Sequence, residues 1–164
     1  QVPFKIDPDA DKREEQKDVS EKSIKGLHIL LAEDNELNME IAEFMLQNEG
    51  ADVIKAWNGQ EAVELFRNSE PGEFDVILMD IMMPVMNGYE ATKKIRSLDR
   101  EDAKMIPIIA MTANAFTEDR LRAKEAGMDE HIAKPVDGKL LINIIYKLMK
   151  HSFRGSHNEK EKTE

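Results

Sequence analysis

The stretch Val76-Ile77-Leu78-Met79-Asp80-Ile81-Met82-Met83-Pro84-Val85-Met86-Asn87-Gly88 decides how this chain is interpreted. Its first four residues are apolar, and the run ends abruptly at an acid that is followed by a Pro and a Gly. This pattern predicts a buried strand that delivers one carboxylate, that of Asp80, to a loop. Because an unpaired buried carboxylate costs several kcal/mol, the rest of the chain is expected to supply a cation or hydrogen bonds for it.

The composition limits the class of protein. The chain has 164 residues, no Cys and a formal net charge of -10. This length is typical of one compact domain with short appendages, and the lack of Cys excludes disulfides, thiolate metal sites and thiol nucleophiles. The acidity disfavours nucleic acid as a partner, because such binding depends on Lys and Arg. No apolar run approaches the ~20 residues of a membrane span, so a cytoplasmic domain without direct membrane contact is expected.

The chain divides into a central region and two polar ends. Residues 1–25 alternate in charge and contain few apolar side chains, so a linker is expected there. Residues 151–164 are equally polar and predict a disordered C-terminal tail. The net charge of the region 26–150 is -9, so the acidity belongs to the part that is expected to fold.

Five short apolar runs alternate with longer amphipathic segments in this central region. The runs predict strands at 27–32, 51–55, 74–79, 105–111 and 131–133. The segments between them have helical spacing, including one at 88–98, and Asn58 with Glu61 forms a capping-box pattern. The alternation predicts an α/β fold of the (βα)5 type, with a doubly wound parallel sheet, right-handed crossovers and helices on both faces.

Polar residues follow four of the five predicted strands. They are Glu33 and Asp34 after the first, Asp80 after the third, Thr112 after the fourth and Lys134 with Pro135 after the fifth. Ligands of such sheets bind beyond the carboxyl ends of the strands, so these side chains are expected to converge. Each of them alone has a simpler explanation as a helix cap, a turn residue or a surface group. Their coincidence at one edge of the sheet favours a functional site.

Three converging carboxylates repel one another, and a divalent cation with oxygen ligands is the simplest relief. Mg2+ fits best, because it takes only one or two carboxylates and leaves positions free for a phosphoryl oxygen. The ammonium of Lys134 and the hydroxyl of Thr112 are groups that stabilise charge on a transferring phosphoryl group. Since a carboxylate can itself be the nucleophile, Asp80, which is central in the sheet, is the predicted acceptor.

These residues together resemble the receiver domain of two-component response regulators. The resemblance rests on Glu33-Asp34, the stretch from Met79 to Gly88, Met111-Thr112-Ala113 and Lys134-Pro135, and it covers about 26–150. It implies a flavodoxin-like sheet with the strand order 2-1-3-4-5. It also implies that Asp80 accepts a phosphoryl group from a phosphohistidine of a kinase, in the same chain or another, or of a phosphotransfer domain.

The resemblance further implies a role for each site residue. Mg2+ would be held by Asp34, Asp80 and the main-chain carbonyl of Met82, with Glu33 acting through water. Lys134 would pair with the phosphoryl group and be joined to Pro135 by a cis peptide bond, while Thr112 would move toward that group.

One residue departs from the usual pattern of such domains. His131 occupies a position that commonly holds Tyr or Phe, so simple aromatic switching is in question. A titratable ring can form hydrogen bonds and change its charge, and we expect the environment of His131 to change on phosphorylation.

The segments 31–38 and 111–116 are similar to receivers at the C-terminus of hybrid sensor histidine kinases. Residues 1–6 resemble the last strand of a kinase ATP-binding domain. On this interpretation the phosphoryl group passes from the kinase His to Asp80 and then to a histidine phosphotransfer protein, or is hydrolysed. The receiver would not be a turnover enzyme, although its parent would be a protein histidine kinase, and a weak homodimer is compatible with this role.

Two alternatives stay open on the sequence. A stand-alone response regulator that signals by binding a partner would have the same site residues. A phosphohydrolase of the haloacid dehalogenase type also uses an Asp nucleophile and Mg2+, but it needs a second acid two residues after the nucleophile. Met82 occupies that position here.

Overall fold

The computed structural model describes residues 23–113 and 117–163. Its strands are β1 (His28–Ala32), β2 (Asp52–Ala56), β3 (Val76–Asp80), β4 (Ile108–Thr112) and β5 (Glu130–Ala133). They form one parallel sheet in the order β2-β1-β3-β4-β5. The predicted flavodoxin-like fold and its strand order are therefore confirmed.

Six helices connect or follow these strands in the described part of the chain. They are α1 (Glu36–Asn48), α2 (Gly59–Arg67), α3 (Gly88–Arg96), α4 (Glu101–Met105), α5 (Thr117–Ala126) and α6 (Gly138–Thr163). No helix among the described residues combines the length and apolarity needed to cross a membrane.

The sheet is covered on both faces, as the apolar central strands require. Alternate residues of β3 face opposite sides: Ile77 and Met79 pack with α2, α3 and α5, whereas Val76 and Leu78 pack with α1 and α6. Every residue of β3 and β4 is buried. Asp80, the last residue of β3, therefore emerges from the centre of the core at its carboxyl edge.

An Asn caps three of the helices that begin beside this edge. Asn35, Asn58 and Asn87 each accept a hydrogen bond from the backbone N–H three residues later, at 2.8 to 2.9 Å. The Glu61 side chain accepts from the Trp57 N–H at 3.2 Å, one residue before the Asn58 N–H that a capping box would use. Such caps contribute about 1 kcal/mol each and fix the points at which α1, α2 and α3 leave the site.

The region before the fourth strand differs from the prediction. The strand was expected to begin at Met105, but this residue ends the short helix α4 and its side chain is 68% exposed. Pro107 explains the difference, because the residue before a proline disfavours the helical conformation. Ile106 accordingly has an extended conformation, with ψ of 130°, and β4 begins at Ile108.

The described residues extend beyond both expected boundaries of the central region, 26 and 150. Ile24 belongs to the predicted linker, but its side chain is fully buried against the face of the sheet that carries α1 and α6. Helix α6 ends at Thr163 and thus includes most of the stretch that was predicted as a disordered tail. Glu and Lys alternate at 159–162, and these residues favour helices. The predicted linker residues 1–22, including the kinase-like segment 1–6, lie outside the described residues.

Candidate functional site

Asp80 lies at the carboxyl end of the central strand and is 2% exposed. The backbone around it is held on two sides, since the Ile81 N–H donates to the Met111 carbonyl at 3.1 Å and the Gly88 N–H donates to the Ile81 carbonyl at 2.9 Å. Gly88 begins α3 so close to the strand that a Cβ at this position would overlap the Asp80 carbonyl oxygen. The strand, the loop and α3 thus hold Asp80 in one position.

Two acids that follow β1 meet Asp80, because β1 is its neighbour in the sheet. Glu33, Asp34 and Asp80 each offer one carboxylate oxygen, and these oxygens all lie within 4.8 Å of one another. Glu33 is 1% exposed, whereas Asp34 is exposed to solvent. Three hard oxygen donors of this kind fit a divalent cation such as Mg2+, which keeps waters on its open side.

Lys134 joins two of these acids. Its Nζ lies 3.0 Å from Glu33 Oε2 and 3.0 Å from Asp80 Oδ2, and its side chain is 23% exposed. The Lys134–Pro135 peptide bond is cis. The Lys134 N–H donates to the Thr112 carbonyl at 2.8 Å, so the ends of β4 and β5 are fastened together beside the ion pairs.

Asn38 is a site residue that the sequence reasoning missed. Glu33 Oε1 accepts from the Asn35 N–H at 3.2 Å and from Asn38 Nδ2 at 3.3 Å, while Oε2 faces Lys134. Asn38 lies in the first turn of α1, so its amide reaches back over the strand end. The only signal in the sequence was an Asn five residues after Glu33. The sequence does not distinguish such an Asn from one that is simply exposed on a helix.

The electrostatics of the site follow from burial. Desolvation raises the pKa of the Asp80 carboxyl to about 7; the hydrogen bond from Lys134 opposes this shift and the charge of Glu33 adds to it. Desolvation lowers the pKa of Lys134, but its contacts with Glu33 and Asp80 outweigh this effect, and the net pKa is raised. The ammonium is therefore charged at neutral pH, while Asp80 is close to half protonated without a cation.

Three further residues predicted for the site lie on β4, on β5 and in the loop after β3. Thr112 is the last residue of β4, is 7% exposed and pairs with Ala133. Met82 follows Asp80 by two residues, and its side chain is 75% exposed. His131 lies apart from the cluster: it pairs with Ala110 on β4, and its Nδ1 is 3.5 Å from Glu130 Oε1.

Comparisons with known proteins identify close relatives of this architecture. A family model described as response regulator receiver domain matches residues 29–146. Histidine kinase 1 of Arabidopsis thaliana is 37% identical over 165 residues, which cover 81% of this chain and 14% of the kinase. Hybrid signal transduction histidine kinase I of Dictyostelium discoideum is 38% identical over 119 residues, or 71% of this chain and 7% of the kinase. The chain thus spans a small part of these kinases.

A short relative and a solved structure match over most of their own length. Polar-differentiation response regulator DivK of Brucella anthropi is 37% identical over 117 residues, which cover 71% of this chain and 91% of DivK. The receiver domain of a sensor histidine kinase from Pseudomonas aeruginosa is 38% identical, with a TM-score of 0.69 and coverage of 76% of this chain and 98% of that chain. That crystal structure has a magnesium ion coordinated in its active site cleft.

Proposed function

Because this chain belongs to the response regulator receiver family, we propose that Asp80 accepts a phosphoryl group from a phosphohistidine, with Mg2+ bound at the acidic cluster. One observation carries the proposal: a carboxylate at the end of the central strand is buried beside Lys134 and within 4.8 Å of two further acids. Such a group is costly to bury in a purely structural role, and it has the surroundings of a nucleophile.

The carboxylates of Asp34 and Asp80 and the main-chain carbonyl of Met82 would hold the cation, with Glu33 acting through water. A bound Mg2+ supplies positive charge that favours the ionised form of Asp80 and neutralises phosphoryl oxygens. Without that charge the pKa of Asp80 is about 7. Much of the carboxyl is then protonated at neutral pH, and the protonated form is not nucleophilic.

In the transfer step, one carboxylate oxygen of Asp80 attacks phosphorus and forms a P–O bond. The P–N bond of the donor breaks, and its electron pair remains on the imidazole nitrogen of the donor. Lys134, whose ammonium already lies 3.0 Å from Asp80 Oδ2, stabilises negative charge on the phosphoryl oxygens. The Thr112 hydroxyl, at the end of the next strand, is the proposed donor to one of those oxygens.

Labelling by a small phosphoryl donor tests this function. The chain is incubated with acetyl phosphate and Mg2+, and the intact mass is measured. We expect one phosphoryl group per chain, none in Asp80→Asn and none in excess EDTA. Asp52→Asn is the matched control, since Asp52 lies on β2 with a 71% exposed side chain, and it should label normally. Undiminished labelling of Asp80→Asn, or steady hydrolysis of a generic phosphomonoester, would contradict the proposal.

We infer that this receiver works within a hybrid histidine kinase and exchanges its phosphoryl group with the kinase His and a phosphotransfer protein. The similarity to kinases of which it covers 14% or less supports this assignment. The match to 91% of DivK supports the alternative, a stand-alone regulator. The coding sequence upstream of Gln1 discriminates between them: a kinase ATP-binding domain supports the hybrid kinase, and an adjacent start codon supports the stand-alone regulator.

A further inference from the structure

The loop that follows Asp80 contains an unusual turn. We call residues 81–87, which connect β3 to α3, the acceptor loop. Within it the Met86 N–H donates to the Pro84 carbonyl at 2.7 Å, so Val85 is the central residue of a three-residue turn. Val85 has a φ of 68°, and it is the only non-glycine residue with positive φ in the described part of the chain. A β-branched side chain disfavours this conformation, so the turn persists only if its surroundings hold it.

Helix α2 supplies one of the contacts that hold this turn. Its first residue, Gly59, donates its N–H to the Met86 carbonyl at 3.0 Å. The helix N-terminus carries partial positive charge, which favours a carbonyl oxygen at this position. The side chain of Met86 is 6% exposed and packs with residues of α2 and α3, so the turn is attached to the core as well.

The approach between α2 and the acceptor loop is too close for any side chain at position 59. A Cβ built on Gly59 overlaps the Met86 carbonyl oxygen and lies 3.0 Å from the Asn87 carbonyl oxygen. Both atoms belong to the backbone and cannot rotate away. A larger residue would therefore displace the acceptor loop by roughly 1 Å to reach ordinary van der Waals contact.

We propose that Gly59 is a positioning residue for the phosphoryl-acceptor site. By hydrogen bonding to Met86 at close range, it holds the acceptor loop in its turn and thereby places the Met82 carbonyl beside Asp80. This inference rests on the proposed function in one respect, namely that Met82 contributes a carbonyl to the cation. Catalytic sites are sensitive to displacements of about 1 Å, so loss of this contact should impair cation binding and transfer together.

The test compares two glycines that each begin a helix. Gly59→Ala introduces a Cβ against backbone, whereas a Cβ at Gly138, the first residue of α6, meets only the flexible side chain of Met45. Mg2+ affinity is measured by calorimetry, and the labelling rate with acetyl phosphate by intact mass. In Gly59→Ala both should fall by about tenfold or more. In Gly138→Ala both should stay within about twofold of the wild type. Equal values in the two variants would overturn the proposal.

A further measurement separates positioning from loss of stability and from failure of the proposed function. In amide NMR spectra recorded without Mg2+, the signals of residues 81–88 should differ from those of the wild type in Gly59→Ala but not in Gly138→Ala. This result does not depend on whether the protein accepts a phosphoryl group. Unchanged loop signals in Gly59→Ala would show that Gly59 does not position the loop. Absence of labelling in the wild type would instead count against the proposed function.

Discussion

Lys134 Nζ lies 3.0 Å from Glu33 Oε2, so the ammonium group proposed to meet the phosphoryl group is also paired with a buried acid. The same nitrogen contacts Asp80 Oδ2 at an equal distance. Lys134 therefore neutralises part of the acidic cluster before any phosphoryl group arrives. This dual pairing has opposite consequences for cation binding and for phosphoryl transfer.

Lys134→Met should separate the two functions. Removing the ammonium leaves the buried Asp80 carboxylate without its cationic partner and Glu33 with only its two amide donors, which we expect to lower the free energy of unfolding in EDTA by about 3 kcal/mol. Mg2+ affinity should rise, because one positive charge has left the cluster, while the labelling rate falls about tenfold or more. Calorimetry, urea unfolding and intact mass measure the three quantities. The exposed Lys147→Met serves as control, and weaker Mg2+ binding in Lys134→Met would contradict the electrostatic argument.

Asp80→Asn should stabilise the protein in a pH-dependent way when EDTA is present. Burial raises the folded pKa of Asp80 from 3.8 to about 7, so the wild type loses stability as the pH rises between these values. The variant has no carboxyl at this position and does not lose stability in this way. The difference in free energy of unfolding between the variant and the wild type, measured with urea, should therefore be largest above pH 7 and shrink as the pH falls toward 3.8. Added Mg2+ should reduce the advantage by stabilising the wild type. Asp52→Asn is the control, and an advantage that is independent of pH would contradict the assignment.

Asp102→Asn should have the opposite pH dependence. Asp102 Oδ2 accepts from Arg100 at 2.7 Å and from the Gly72 N–H at 3.0 Å. The hydrogen bond from Arg100 is the main reason that the pKa of Asp102 is below its usual 3.8. The stabilisation is therefore fully present above pH 3.8 and is lost as the pH falls through the lowered value. At pH 7 we expect the free energy of unfolding of the variant to be roughly 1 to 2 kcal/mol lower than that of the wild type. A deficit that persists in acid would argue for a packing effect instead.

Tyr89→Phe should not destabilise the protein, although Tyr89 is 8% exposed. Its hydroxyl oxygen is buried and has no hydrogen-bond partner among the described residues. The ring would keep its contact with the Arg122 guanidinium, which lies 4.8 Å from the ring centroid. Removing an unpaired buried hydroxyl should leave the free energy of unfolding unchanged or raise it by about 1 kcal/mol. Urea unfolding beside a Tyr146→Phe control measures this, and a clear loss of stability would reveal a partner for the hydroxyl.

The ring of His131 should change environment on phosphorylation. Ala133, which lies two residues after His131 on β5, pairs with Thr112. A movement of Thr112 toward the phosphoryl group would therefore disturb the strand that carries His131. NMR signals of the His131 ring are compared without and with a phosphoryl mimic such as beryllofluoride. The His28 ring, at the opposite end of the sheet, is the internal control. Unchanged His131 signals would contradict a role in switching.

Much of this architecture could be predicted from local patterns. Apolar runs that end in Asp80 or Thr112, and the Asn58 cap, are features of neighbouring residues, so the strands and helices could be identified from the sequence. The convergence of Glu33, Asp34 and Asp80 followed from parallel topology alone, since all strands of such a sheet end at one edge. The strand order came from the family resemblance, because short buried strands do not specify their neighbours.

Other features were decided only by the tertiary structure. The pairing of Lys134 with Glu33, the amide of Asn38 over that acid and the contact of Gly59 with Met86 join elements that are distant in the chain. The sequence contains each residue but not the distance between them. Local propensity determines which segments are strands or helices, whereas packing around a shared core determines which side chains meet and how close two backbones approach.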